Sequence, residues 1–320
     1  MNQLETKIGN MMNKITRNIR PTRGKALVIL ALTLGISFSM LATTSAAFNP
    51  QEPDLGLQGK RKPKPLTFTQ FDFPDSRGTI PKGINDRGQI VGSFRDAEGA
   101  IHGFLLERGA FTRIDFPGAL ATNVNGINQR GEIVGAFDTE DLHNGFLLDK
   151  GAFTQIAFPS AIITAATRIN DRGQIVGFIA TGGGLRGFLW DEDVFTQIEF
   201  PGSTNSVVHG INNRGHIVGG FGPNAIEARG FIFDGDDHTQ IAFPGAVSTI
   251  LGAINNSRQI VGSFIDAAGA AHGFLLDDGV FTRIDFPGAT NTELWGINDR
   301  GHIVGNFQDA GEGIHGFLVR

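Results

Sequence analysis

A sequence repeat of 42 or 43 residues runs through residues 66–320. Each copy includes the phrase FTxIxFP or a close variant of it, and the closing proline recurs at Pro74, Pro117, Pro159, Pro201, Pro244 and Pro287. A fixed period of this size marks a repeat architecture, in which one supersecondary unit recurs and neighbouring units bury each other's apolar faces. We therefore expect one array of similar units in this region.

Each repeat divides into four short apolar segments. In the second repeat these are Phe111–Phe116, Asn123–Asn128, Glu132–Phe137 and Asn144–Leu148. Segments this short, rich in Ile, Val, Phe and Thr and bounded by Gly, Asn, Asp and Pro, are typical of β-strands. No segment has an apolar stripe at helical spacing over ten or more residues, so almost no helix is expected in the mature chain.

The two ends of the repeat region are out of phase with each other. The region begins with a lone FTQFDFP at Phe68–Pro74, which belongs to the end of a repeat, and finishes at His315–Leu318, one strand short. Four strands in about 42 residues make the size of a propeller blade. We predict an all-β, six-bladed β-propeller, closed by the N-terminal strand pairing with the last blade and leaving no open sheet edge. A β-solenoid is the alternative, but it needs no phase-shifted terminal strand.

A turn motif recurs after the second segment of each repeat. Its first copy is Asn85–Gly88, and further copies stand at 128–131, 170–173, 212–215 and 298–301. Glycine supplies the positive φ that a tight turn needs, and the asparagine is expected to cap its own turn rather than bind a ligand. The fifth copy, Asn255–Arg258, lacks the glycine and is predicted to be strained.

The N-terminal region has the pattern of an export signal. Six Lys or Arg residues precede the apolar run Ala26–Ala42, and small residues follow it, with Ser45 and Ala47 spaced as a signal peptidase expects. We predict a signal peptide at residues 1–47, a basic, proline-containing linker at 48–65 and the repeat domain at 66–320. An uncleaved anchor is the alternative, although the run is short for a bilayer span.

The net charge and the absence of cysteine limit the classes of ligand and chemistry that are expected. Residues 1–47 hold six of the 27 basic residues and one of the 32 acidic ones, so the mature chain carries 21 − 31 = −10. A body this acidic is a poor nucleic-acid binder. The basic cluster Lys60–Lys62 with Lys64 is typical of an extended linker, with a tether to an anionic cell surface as the alternative. The absence of cysteine excludes disulfides and thiolate chemistry.

The repeat also resembles a known family. The elements GINxxGxIVG, HGFLLxxG and FTxI stand at Gly83–Gly92, His102–Gly109 and Phe111–Ile114. In this order they resemble the bacterial extracellular repeats of the HAF family, with Gly103 where the family name has alanine. The resemblance covers residues 66–320 and implies a secreted or periplasmic, propeller-like protein. It supplies no catalytic residue.

One column of the repeat varies where its surroundings do not. It lies just before GIN and holds Lys82, Asn125, Thr167, His209, Gly252 and Trp295. On the first strand of each blade this position is expected near the central channel, where these side chains would form a small polar pocket with an aromatic wall. The candidate ligand-binding residues are Lys82, Asn125, Thr167, His209 and Trp295, with drift at unconstrained positions as the alternative explanation.

These observations favour a binding protein over an enzyme. We expect a monomeric, exported, non-catalytic module that binds a protein or small-molecule ligand, with no cofactor, no metal site and no membrane span after signal cleavage. Metal binding needs converging ligands, which one histidine per repeat does not give. The alternative is a periplasmic hydrolase or lyase at the channel mouth, which requires Lys82 and His209, three repeats apart, to converge. A purely structural surface protein is a third possibility.

Overall fold

A computed structural model describes residues 66–223 and 227–320. The predicted signal peptide and linker lie outside the described residues. Every regular element in the described ranges is a β-strand. Within these ranges there is no helix long and apolar enough to cross a membrane. The prediction of an all-β protein is confirmed.

The strands follow the four segments of the repeat. The N-terminal strand is β1 (Phe68–Phe71), and the six repeats then supply β2 (Gly78–Ile84), β3 (Ile90–Arg95), β4 (Ile101–Glu107), β5 (Ala110–Ile114), β6 (Ala121–Ile127), β7 (Ile133–Asp138), β8 (His143–Asp149), β9 (Ala152–Ile156), β10 (Ile163–Ile169), β11 (Ile175–Thr181), β12 (Gly184–Asp191), β13 (Val194–Ile198), β14 (Ser206–Ile211), β15 (Ile217–Phe221), β16 (Arg229–Phe233), β17 (His238–Ile241), β18 (Ser248–Ile254), β19 (Ile260–Ile265), β20 (Ala271–Asp277), β21 (Val280–Ile284), β22 (Asn291–Ile297), β23 (Ile303–Gln308) and β24 (Ile314–Val319).

Consecutive strands pair in antiparallel order. Strands β6–β9, β10–β13, β14–β17 and β18–β21 each form a four-stranded sheet. The remaining strands form two further sets of four, β2–β5 and β22–β24 with β1, which a single parallel bridge between Gly78 and Ile314 joins into an eight-stranded sheet. We refer to β2, β6, β10, β14, β18 and β22 as the first strands.

The two ends of the repeat region meet in one sheet. Strand β1 runs antiparallel to β24, with Phe68 opposite Val319, and Thr67 and Arg320 exchange backbone hydrogen bonds of 2.9 and 3.0 Å. The Phe68 ring packs edge-on to Phe286, with 5.7 Å between centroids. The fourth strand of the last set therefore comes from the beginning of the region, as the phase of the repeat predicted.

The apolar core lies between neighbouring repeats. One phenylalanine of each third strand is fully buried, at Phe104, Phe146, Phe188, Phe231, Phe274 and Phe317. Val91 and Ile114 of one repeat pack with Val124 and Phe146 of the next. Gly103 permits this contact, because a Cβ there would lie 2.3 Å from the Val124 side chain. Since each large apolar side chain buried contributes roughly 1.5–3 kcal/mol, stability comes mainly from contacts between repeats.

The recurrent turns behave as predicted. The glycine that closes the turn has a positive φ, for example +78° at Gly88 and +75° at Gly301. Arg258 holds the same position with φ +66°, in the left-handed region that side chains disfavour. The predicted strain in the fifth turn is therefore confirmed.

The turn asparagines cap their own turns and also link the repeats. Asn85 Oδ1 accepts from the backbone N–H groups of Arg87 and Gln89, both at 3.1 Å. Its Nδ2 donates to the backbone oxygen of Asn128 at 3.0 Å, and the pattern continues through Asn170, Asn212, Asn255 and Asn298, which donates back to Asn85 at 3.0 Å. The capping prediction is confirmed, and the same amides form a cycle of hydrogen bonds.

A second cycle lies beside the first. At the next position of the turn, each backbone N–H donates to the side-chain oxygen of the next repeat at 2.8–3.0 Å, through Asp86, Gln129, Asp171, Asn213, Asn256 and Asp299. We call the residues of these two cycles the turn layer.

Candidate binding site

Each first strand contains a β-bulge at the same place. The pairing register skips one residue between Pro81 and Gly83, and likewise in the other five first strands. The skipped residues are the variable column of the sequence: Lys82, Asn125, Thr167, His209, Gly252 and Trp295. A bulge residue is left unpaired and its side chain is re-aimed. We call these six residues the bulge layer.

Arg168, which follows the bulge of the third repeat, is the residue that the sequence analysis missed. Its Nη1 donates to the backbone oxygens of Lys82 and Asn125 at 2.9 and 3.2 Å. Its Nη2 donates to those of Trp295 and Gly252 at 2.7 and 3.4 Å. Carbonyl groups from four repeats thus converge on one guanidinium.

A sequence signal for Arg168 was present. The third repeat has RIN where the other motifs begin GIN or, in the fifth, AIN, so one large cation replaces a glycine or alanine. The small residues make room for it, because a Cβ at Gly83 would lie 3.2 Å from Arg168 Nη1. Burial lowers the pKa of Arg168 to about 10, which leaves it charged near neutrality.

Lys82 lies against an indole ring. Its Nζ is 5.5 Å from the centre of the Trp295 ring, which is cation–π distance. Only 9% of Lys82 is exposed, and this burial lowers its pKa to about 8. Glu293 opposes the shift and Arg168 adds to it.

A carboxylate and an amide lie behind the indole. Trp295 Nε1 donates to Asn306 Oδ1 at 2.8 Å, and Asn306 Nδ2 donates to Glu293 Oε2 at 3.1 Å. Burial raises the pKa of Glu293, although these partners and Lys82 act in the opposite direction. The orientation of the indole is therefore fixed by side chains that no other repeat has at these positions.

His209 reaches the other part of the same indole. Its ring centroid is 6.4 Å from that of Trp295, in an edge-on arrangement. Gly252, the bulge residue of the intervening repeat, has no side chain to separate them. Burial, with help from Lys82 and Arg168, lowers the pKa of His209 to about 3, so the imidazole is neutral.

The two remaining candidates face backbone groups. Thr167 Oγ1 lies 2.9 Å from the backbone oxygen of Val208 and donates to it. Asn125 Nδ2 donates to the backbone oxygen of Ala166 at 2.8 Å, while its buried Oδ1 has no hydrogen-bond partner. The structure thus gathers Lys82, His209 and Trp295, gives Thr167 a structural contact and leaves one acceptor of Asn125 free.

A cavity opens on the turn side of Arg168. Its volume is about 70 Å³. Its wall consists of Arg168, the turn layer from Asn128 onward, and an apolar collar of Ile84, Ile127, Ile169, Ile211, Ala253, Ile254 and Ile297. Arg168 therefore lies between this cavity and the carbonyl groups of the bulge layer.

Comparisons with known proteins identify the fold. No protein-family model and no curated protein sequence matches the chain. Among solved structures, AofleA from Arthrobotrys oligospora aligns with a TM-score of 0.54 at 11% identity, over 80% of this chain and 86% of that one.

Two further structures agree. TolB from Acinetobacter baumannii aligns with a TM-score of 0.54 at 9% identity, over 77% of this chain and 64% of that one. The SapL1 lectin in complex with alpha methyl fucoside aligns with a TM-score of 0.53 at 13% identity, over 76% and 93%. The neighbours are β-propeller proteins, so the chain has a β-propeller-like fold, and identities this low extend no further than the fold.

Proposed function

We propose that this chain is an exported binding module of the cell envelope that takes its ligand at the bulge layer without transforming it. The observation that carries the proposal is the meeting of Lys82, His209 and Trp295, unlike side chains from three repeats, around one indole. They occupy equivalent positions in their repeats, and because the residue at this position differs in every repeat, the fold itself does not require any one of them. Gly252 fills the same position with no side chain at all.

The groups at this place are also under-paired. Buried polar groups normally have hydrogen-bond partners, and the exceptions call for an explanation such as a bound molecule. Asn125 Oδ1 is buried without a partner, and the nine-tenths-buried Lys82 has an aromatic face beside its amine and, within the described residues, no ion pair within 4.0 Å. A ligand that supplies a donor and an acceptor would satisfy both.

The proposed scaffold is a closed, six-bladed propeller. The pairing of β1 with β24 and the return hydrogen bond from Asn298 to Asn85 support closure. Deleting residues 66–74 should expose the edge of β24 and lower the melting temperature sharply, as measured by differential scanning calorimetry. An unchanged melting temperature would show that β1 does not hold the ring together.

Export remains a prediction from the sequence, as does the likeness to HAF repeats. The signal-like order of residues 1–47 supports a secreted or periplasmic location, and the mature body would act as a monomer. N-terminal sequencing of the protein recovered from its host tests this directly. A mature terminus near residue 48 is expected, and a full-length chain retained in the cytoplasm would contradict export.

The binding proposal is tested with the full chain purified from its host. Native mass spectrometry should find a co-purifying small molecule that Lys82→Met loses. Lys150→Met is the matched control, because the Lys150 side chain is 91% exposed and distant in sequence from the bulge layer. If the wild-type protein carries no such molecule, and host extract leaves its melting temperature unchanged, the proposal is wrong.

A hydrolase or lyase at the same place is the second candidate. The lowered pKa values of Lys82 and His209 favour it, because buried groups with shifted pKa values cluster at catalytic sites. Both groups lie near Trp295, so a reacting molecule could contact both. Turnover of the co-purified molecule that is lost in both Lys82→Met and His209→Gln would establish an enzyme. Binding without turnover would exclude one for that molecule.

A further inference from the structure

The bulge layer holds more positive than negative charge, on side chains that are buried (Lys82) or half-buried (Arg168, His209 and Glu293). The charged or titratable side chains that the first strands bring there are Lys82 from β2, Arg168 from β10, His209 from β14 and Glu293 from β22. Two cations therefore face one carboxyl group, whose pKa burial raises, and a neutral imidazole. Buried charges are normally paired, so an interior with excess positive charge favours an anion.

The two cations differ in how they are compensated. Arg168 donates four hydrogen bonds to backbone oxygens, which occupy both of its terminal nitrogens. For Lys82, the described part of the chain offers no ion pair within 4.0 Å and no hydrogen bond from the amine. An ammonium group has three donors and no acceptor. Arg168 Nε is buried without a partner as well, so the unmet demand for acceptors lies at the Lys82 amine, with its three donors, and at this single N–H group.

We propose that the site binds a small organic carboxylate with a flat apolar body, its carboxylate on the Lys82 amine and its flat face against Trp295. This inference rests on the proposed binding function and adds the chemical class of the ligand. The indole and the neutral His209 ring supply a surface suited to a planar group. Asn125 lies on the neighbouring bulge, and its free Oδ1 would accept from an N–H or O–H group of the ligand.

A carboxylate suits the donors better than a phosphate does. Phosphate recognition uses several charged donors or bidentate arginine pairs. Here Arg168 Nη1 and Nη2 are already engaged, and Lys82 is the one ammonium group that the described first strands supply. A single negative charge matches a single free amine.

The test uses the fluorescence of Trp295. Trp190 is the other tryptophan, so the full chain with Trp190→Phe reports on Trp295 alone. Benzoate is the probe, benzamide its neutral isostere, and inorganic phosphate the competing anion. We expect a saturable change with benzoate at pH 7, binding of benzamide and phosphate at least tenfold weaker, and a loss of benzoate affinity above pH 8 as the amine loses its proton.

Variants decide whether Lys82 is responsible. Lys82→Met should weaken benzoate binding at least tenfold, and Lys82→Gln serves if the first variant does not fold. Lys150→Met should bind as the wild-type site does. Equal binding by the Lys82 variants, no saturable change with benzoate, or phosphate binding as tight as that of benzoate would each overturn the inference.

The failures of the two proposals are distinguishable. If the molecule that co-purifies from the host is neutral or cationic and Lys82→Met still releases it, the binding function stands and the carboxylate class is wrong. If the host supplies no ligand but benzoate binds in a Lys82-dependent way, the chemical preference stands and the proposed physiological function is wrong.

Discussion

The turn layer begins three residues after the bulge layer, just beyond the end of each first strand, and the two layers differ in which residues recur. In the turn layer the same asparagine recurs in every repeat, and each amide bonds to the next repeat in the same geometry. In the bulge layer the backbone recurs but no two side chains are alike. Identical residues therefore connect the repeats in the turn layer. In the bulge layer, different residues on the same backbone bulge make the interior chemically different from one repeat to the next.

Arg168 departs from this division. It lies beside the bulge layer and has no counterpart in other repeats, yet its four hydrogen bonds connect repeats as the turn asparagines do. Lys82, an equally singular cation, connects nothing in the same way. The comparison separates a cation whose terminal nitrogens bond to the scaffold from a cation whose amine donates no hydrogen bond within the described residues.

Replacing Arg168 with glycine should have the largest effect on the stability of the scaffold. Arg168→Gly restores the common motif but removes four charge-assisted hydrogen bonds to bulge carbonyl groups. At about 1 kcal/mol net for each bond, the free energy of unfolding should fall by about 4 kcal/mol. Urea unfolding followed by circular dichroism measures this. A variant as stable as the wild type would mean that water replaces the guanidinium without loss.

Lys82, in contrast to Arg168, should destabilise the folded state, by an amount that depends on pH. Its pKa falls from 10.5 to about 8 on folding, so below pH 8 the folded state bears the full cost of the buried charge. As pH rises from 8 to 10.5 the unfolded chain holds more protons, and stability should rise by about 3 kcal/mol.

Unfolding of Lys82→Met and of the wild type at pH 7, 9 and 10 measures this effect. The variant should lack the rise and be the more stable protein at pH 7. Lys150→Met should keep the rise. Besides Lys82 and Lys150 the repeat domain has no lysine and no tyrosine, and Arg168, with a pKa of about 10, is present in both proteins and affects them alike at pH 10. A parallel pH dependence in wild type and Lys82→Met would show that Lys82 carries no such cost.

The sequence predicted the turn layer better than the bulge layer, and the reason is physical. A turn is formed by four consecutive residues, so the roles of Asn85 and Gly88 can be predicted from the local sequence alone. The phase of Phe68–Pro74 likewise predicted the partner of β1, because each repeat has a fixed number of strands. That the same amides also join neighbouring repeats depends on how strands pack, which the motif alone does not state.

The sequence predicted where the candidate site lies but not all of the residues that form it. Variation within a constant motif located Lys82, His209 and Trp295 correctly on the first strands. Arg168 was not predicted, because a single departure from glycine or alanine in one repeat does not by itself indicate that the side chain reaches carbonyl groups of four other repeats. Glu293 and Asn306 lie on strands where most repeats have small or apolar residues, and only the folded structure brings them behind the indole.

Closure of the ring can be tested within the turn layer. Asn298→Ala removes the hydrogen bond to Asn85 and two capping bonds, from Arg300 and His302, and at about 1 kcal/mol each should lower the free energy of unfolding by about 3 kcal/mol. Asn212→Ala removes the equivalent bonds inside the array and, like Asn298, precedes a histidine by four residues, so it is the matched control. Equal losses in urea unfolding are expected if the last repeat joins the first as any neighbours do. A much smaller loss for Asn298→Ala would show that they are not joined.

Arg258 offers the smallest expected change, because it is the one closing residue of the six recurrent turns that is not glycine. Its backbone has the φ of the glycines but carries a side chain, which costs about 1–2 kcal/mol in the left-handed region. Arg258→Gly relieves this cost but adds freedom to the unfolded chain, which takes back about 0.5–1 kcal/mol. The variant should therefore be more stable by about 0.5–1 kcal/mol, with the reverse change, Gly173→Arg, destabilising by a similar amount. Thermal unfolding of both variants at one pH measures the pair, and a destabilised Arg258→Gly would show that the arginine side chain, rather than the backbone of the turn, sets the stability there.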